Sequence, residues 1–314
     1  MLSIVTPSSN VITRRRTVDV GTVLPALAGH RVAADVFLPS GHARPVAFCC
    51  LSGGGMSTRY WDLSPDTYSF ARWAAGHGFP VICVDHLGTG GSTLPPGVAA
   101  PPLGAVVAAN DAAFRILLDE LRHDAPVPRG VGVGHSMGAA LTVRQQADHN
   151  TFDAVALLGF DTAGLPEHLP PDILDACAHG IPDDERIADL TPRMFGSAYP
   201  TLPGGEFDQE SVETAARQAL KAAATVLLGN GGLLSILPGN VATEAACLPV
   251  PVFVGNGEHD PLLNGRRATA EQYPAAASFT TVVLKDSGHN HNVAPTRHQL
   301  WRALVRWAES ALSP

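Results

Sequence analysis

"GVGVGHSMGAAL", Gly130 to Leu141, sets one hydroxyl in a run of small and apolar residues. Its first half reads as a buried strand and its second half, from Met137 onward, as the start of a helix. Ser136 falls at the junction, with Gly134 two residues before it and Gly138 two after. A serine exposed at the tip of such a turn holds a strained backbone, and the segments around it approach so closely that only glycine leaves room. The G-x-S-x-G spacing is that of a nucleophile elbow. The five residues alone also fit a serine that caps a helix; the strand before and the helix after favour the nucleophile.

Outward from this turn, strands and helices alternate. "PVAFCCLS" and "PVICVDH" are short, apolar and ended by glycine-rich turns, as buried strands are. Between them "SPDTYSFARWAAGHG" predicts a helix, with Ser64 as N-cap, Pro65 beside it and Gly78 as its stop. "VVAANDAAFRILLDELRH" predicts another helix, "FDAVALLGF" a strand, and "RTVDVGTV" with "HRVAADVFLP" a pair of strands near the start. Such alternation forces a mostly parallel sheet with helices on both faces. From about Thr162 to Cys247 the pattern stops, in a stretch rich in Pro, Gly and Ala. It resumes with "VPVFVGNGEHD", a helix around Arg266 to Gln272, "FTTVVLKDSGH" and a closing helix "PTRHQLWRALVRWAESAL". The expected organisation is therefore a core domain of residues 1–161 and 248–314, interrupted by a cap or lid insertion of residues 162–247.

A serine hydroxyl attacks carbon only when a base removes its proton, and the base needs a third group to fix its tautomer. His289, in the loop after the last predicted strand, and Asp260, just after the strand before it, would both lie at the carboxyl edge of a parallel sheet, with the serine. His291 and His259 compete for the base and Asp161 for the acid. Acyl transfer also needs donors for the developing oxyanion. The Met137 N–H at the helix start is one, and "LSGGGMST" offers the second from Gly54 or Gly55. Gly55, Tyr60, Trp61 and His135 are further candidates for the pocket wall, and Tyr60 and Trp61 equally fit packing beneath its entrance.

Composition narrows the alternatives. A formal net charge of -8 with 21 scattered Lys and Arg argues against a nucleic-acid partner. Arg14 to Arg16 read as a solvated strand edge. Five cysteines without a C-x-x-C pair, three of them in apolar runs, suit a reducing compartment. No apolar run is long enough to span a bilayer, so a soluble, cytoplasmic chain without membrane partners is expected. "VDHLGTGG" lacks the G-x-G-x-x-G spacing of a dinucleotide site, and no carboxylate or thiol joins His289, His291 and His298 at a ligand-like spacing, so neither cofactor nor metal is expected.

With these residues in place the sequence resembles the α/β-hydrolase superfamily over nearly its whole length. The elbow has the common G-H-S-M-G form, and "DHLGTGGS", Asp85 to Ser92, looks like the family's D-x-x-G-x-G-x-S turn. The resemblance implies an eight-stranded, mostly parallel sheet, a cap between the sixth and seventh strands, and no cofactor. Ser52 and Gly53 stand where the family often has His-Gly, which leaves the second oxyanion donor open. A serine at position 136 argues against the family's haloalkane dehalogenases and epoxide hydrolases, which use aspartate there. The function expected is a serine hydrolase cleaving an ester, lactone or related acyl bond of a hydrophobic small molecule. Carbon-carbon hydrolase or acyltransferase activity on the same triad, and a non-catalytic small-molecule binding protein, are the alternatives.

Overall fold

The computed structural model describes residues 11–121, 128–202 and 212–313. Its strands are β1 (Val11–Asp19), β2 (Arg31–Pro39), β3 (Val46–Leu51), β4 (Val81–Val84), β5 (Arg129–His135), β6 (Ala154–Leu158), β7 (Val252–Gly257) and β8 (Phe279–Leu284). They form one sheet in the order β1-β2-β4-β3-β5-β6-β7-β8. β1 with β2 and β2 with β4 pair antiparallel, and the remaining neighbours are parallel. The helices are α1 (Phe70–Gly76), α2 (Leu103–Glu120), α3 (Met137–His149), α4 (Pro171–Ala176), α5 (Asp184–Phe195), α6 (Thr214–Ala223), α7 (Gly229–Ile236), α8 (Ala242–Ala246) and α9 (Arg297–Ala311).

Both faces of the sheet are covered, which is why its central strands read as unbroken apolar runs. Along β3, Ala47, Cys49 and Leu51 join Phe114 of α2 and Leu141 of α3 in one core, while Val46, Phe48 and Cys50 join Phe70 of α1 and Trp301 of α9 in the other. The period of two along a strand sends alternate side chains to the two layers. Cys49, Cys50 and Cys83 are buried free thiols inside these layers.

The strand order places the site. β3 connects to β4 on one side of it, and β5 lies on the other, so the segments leaving the carboxyl ends of β3 and β5 diverge and open a crevice between them. Those segments are the triple-glycine loop and the Ser136 turn.

Two expectations about elements change. The helix expected from Ser64 begins later: Asp66–Tyr68 makes a separate 3-10 turn, and α1 is capped by Ser69, whose hydroxyl accepts the Arg72 N–H at 3.0 Å. Around Arg266 to Gln272 only Ala270–Gln272 is helical, a single 3-10 turn boxed by Thr269 and Gln272. Upstream of it the Arg266 side chain instead donates to the carbonyls of Gly164 and Leu262. The far end of the helix expected through Arg122 and His123 lies outside the described residues, as do residues 203–211 of the insertion.

Between β6 and β7 run α4 to α8. α7 packs on α3 and α5, and α8 packs on α3. Leu227, Leu228, Leu233 and Leu234 are buried in the same core as Met137 and Leu141, so this segment closes over the carboxyl edge of the sheet at α3.

Candidate active site

Ser136 sits at φ 54, ψ -122, in the left-handed half of backbone space that side chains other than glycine rarely enter. Such a residue costs about 1–3 kcal/mol and persists only where its surroundings over-determine it. Here they do. A Cβ on Gly134 would lie 2.4 Å from the Gly138 carbonyl oxygen, and one on Gly138 would lie 2.4 Å from that of Leu51. The two glycines thus let α3 fold back against β5 and seat it on the end of β3. The Ser136 N–H bonds the Leu158 carbonyl at 2.8 Å, which ties the turn to β6. Its hydroxyl makes no capping bond to α3, so it is not spent on the helix it precedes.

His289 and Asp260 come together from the loops after β8 and β7. His289 Nδ1 donates to Asp260 Oδ2 at 2.9 Å, and both residues are buried. Burial alone would raise the Asp260 carboxyl. The charge of His289, its hydrogen bond, nearby His291 and the Leu262 N–H outweigh that and hold it at about 2. The His289 ring also lies against Gly159, which is at φ 59; a Cβ there would be 3.2 Å from the ring. Ser136 and His289 border one cavity of about 260 Å³.

The second acid candidate is elsewhere occupied. Asp161 turns its Oδ1 to the Ala163 N–H at 2.7 Å, closing its own turn, whereas Asp260 is bonded to His289. Of the competing histidines, His259 is exposed beside Glu258. His291 is fully buried, with neither ring nitrogen bonded, and burial pushes it down to about 4. Among the described residues one set of side chains gathers as metal ligands do, Glu258, His259 and Asp286, all exposed and none of them part of the cavity.

The glycine loop meets the serine turn. A Cβ on Gly53 would stand 3.2 Å from Ser136 Cβ, and one on Gly54 would stand 3.9 Å from Met137 Cβ. As the first N–H of α3, that of Met137 has no acceptor inside the helix. A Cβ on Gly55, which is at φ 72, would stand 3.6 Å from Leu202, on the side away from Met137. Ser52, at the family's histidine position, donates its hydroxyl to the Ser57 carbonyl at 2.9 Å and so closes the loop on itself. Asp85 holds the loop from outside: its carboxylate accepts the N–H groups of Thr58 at 2.7 Å and Gly91 at 2.8 Å.

Gly55 and His135 border the cavity; Tyr60 and Trp61 do not. Both aromatic residues are 1% exposed. Tyr60 stacks on His135 at 4.6 Å, and its carbonyl accepts Asn292 Nδ2, whose own Oδ1 accepts the Trp301 indole. They pack beneath the site because this buried network leaves them no path to solvent. His135 itself donates from Nε2 to the His289 carbonyl at 2.8 Å, a bond that sequence spacing does not announce. Much of the remaining wall, Leu165, Phe195, Leu202, Leu227 and Ile236, comes from between β6 and β7, the stretch expected to form the cap, although no motif singles out these residues.

An open α/β sheet whose strained serine turn faces a buried histidine-aspartate pair defines a class of hydrolase-type folds. The chain belongs to the alpha/beta hydrolase family, whose model matches residues 50–298. It resembles a thermophilic esterase from Thermogutta terrifontis at 15% identity, covering 95% of this chain and 99% of that one, with a TM-score of 0.62. A monoacylglycerol lipase from Paleococcus ferrophilus shares 16% identity over 96% and 99% of the two chains, TM-score 0.60. The enol-lactonase from Burkholderia xenovorans shares 20% over 90% and 98%, TM-score 0.57. At such identities the likeness speaks for the fold. No curated protein matches the sequence. No helix among the described residues is long and apolar enough to cross a membrane.

Proposed function

We propose that the protein is a serine hydrolase that cleaves a carboxylic ester, lactone or related acyl bond of a hydrophobic small molecule. The observation that carries this reading is a Ser136 on a strained turn, its hydroxyl making no cap bond to α3, bordering one cavity with a His289 already bonded to Asp260. Ser136 Oγ bonds to the carbonyl carbon while its proton passes to His289 Nε2. The N–H groups of Met137 and Gly54 hold the oxyanion. Collapse breaks the bond to the leaving oxygen, which takes the proton from His289, and a water activated by the same histidine then releases the acyl group. Asp260 fixes the tautomer and offsets the imidazolium charge.

The largely apolar cavity supports a hydrophobic substrate. Residues 162–247 act as the cap, since they supply most of the wall opposite the sheet. The thiols buried in β3 and β4 support a reducing, cytoplasmic setting. The test is Ser136→Ala assayed on a panel of carboxylic esters. Turnover should fall on the order of 10⁶-fold with the unfolding midpoint unchanged. A variant with near-full activity removes the assignment.

A further inference from the structure

Two cavities meet at Ser136, and they differ in size and in what borders them. The larger, about 260 Å³, holds His289, the glycine loop and Met137 along its wall. The smaller, about 50 Å³, is closed by Gly159, Phe160, Asp161 and Leu263. Ser136, Leu165, Ser235, Ile236 and Leu262 border both, so the partition between them runs straight to the nucleophile. His289 borders the larger one alone. One water needs roughly 10–15 Å³ of such cavity space, so the smaller cavity admits only a few groups of that size.

Resting on the serine reading, this asymmetry assigns the two halves of an ester. His289 must hand its proton to the leaving oxygen, so the alcohol has to lie on the histidine's side. That side is the larger, apolar cavity. The acyl substituent then points into the smaller one, where Phe160 and Leu263, each 3% exposed, stand behind it. Asp161 in the same wall weighs against an anionic acyl group. We propose that the substrates are esters of a short, uncharged acyl group with a large apolar alcohol, and that Leu263 sets the acyl limit.

Nonyl acetate and methyl decanoate separate this from a general preference for greasy esters. They are isomers, with the same atoms, nearly the same apolar surface and unactivated alcohols, and they differ only in which side of the carbonyl is long. The protein should show kcat/KM at least about tenfold higher for nonyl acetate, since a misplaced chain in a closed apolar pocket costs that much per methylene. Leu263→Ala, or the gentler Leu263→Val should the first fold poorly, should raise kcat/KM for nonyl butanoate relative to nonyl acetate by about tenfold. Equal or reversed preference between the isomers, or turnover of neither, overturns the proposal. Labelling of Ser136 by a fluorophosphonate distinguishes the two failures: a labelled enzyme with the wrong preference keeps the serine reading and loses this one, whereas an unlabelled protein loses both.

Discussion

The carboxyl rim of the sheet and the segment between β6 and β7 border the same cavity but are built on different principles. At the rim, every chemical group is held by something with one solution: Gly134 and Gly138 where no Cβ fits, Gly159 flat against the His289 ring, Asp260 bonded to that ring at 2.9 Å. The overlying segment makes its wall from interchangeable apolar side chains such as Leu165, Phe195 and Ile236 on short helices and turns. In the proposed reaction the rim fixes which bond is attacked, and the overlying segment shapes what reaches it.

Changes at the rim should therefore damage turnover, and changes above it should move substrate affinity. The largest contrast is between the two acids. Asp260→Asn leaves the ring of His289 facing the wrong tautomer and should lower kcat by about 10⁴-fold, whereas Asp161→Asn, whose amide oxygen still accepts the Ala163 N–H, should change it less than about tenfold. Steady-state kinetics of the pair on one ester would reverse the assignment if Asp161 proved the more damaging.

A second contrast is one of pH. His86 and His291 lie buried beneath the rim, and burial holds each at about 4. In the unfolded chain each takes a proton near 6.5, so the unfolded state binds more protons as pH falls. The stability tied to each histidine is full above pH 6.5 and lost progressively down to about pH 4. Near pH 5 the loss is roughly 2 kcal/mol per histidine. His291→Phe should flatten the dependence of the urea midpoint between about pH 7.5 and pH 5; an unchanged slope would mean that His291 is not buried neutral.

The smallest expected effect belongs to the overlying wall. Phe195→Ala should raise KM for a bulky ester by about tenfold with kcat nearly constant. A fall in kcat with KM unchanged would show that this wall takes part in the reaction step, and the division between rim and overlying segment would fail.

The same division explains what the sequence disclosed. Ser136, His289 and Asp260 were legible because each obeys a local rule: glycines at fixed offsets, or a polar residue directly after an apolar strand. The sheet was legible because burial on both faces leaves continuous apolar runs in β3 and β4. Tyr60 and Trp61 fit two places in sequence, since whether an aromatic lines a pocket or lies under it depends on partners such as Asn292 and Trp301, more than 200 residues away. Ser64 and Ser69 are both plausible caps in sequence, and only the bond from the Arg72 N–H separates them. The overlying wall carries no spacing rule, because its side chains need only be apolar and of the right size.

The central claim is that Ser136 is an activated nucleophile. Treating the protein with a fluorophosphonate and mapping the modified peptide by mass spectrometry tests it directly. One adduct per chain, on Ser136, lost in Ser136→Ala and greatly slowed in His289→Ala, is the result expected. A protein that stays unmodified, or an adduct on another residue, would contradict it.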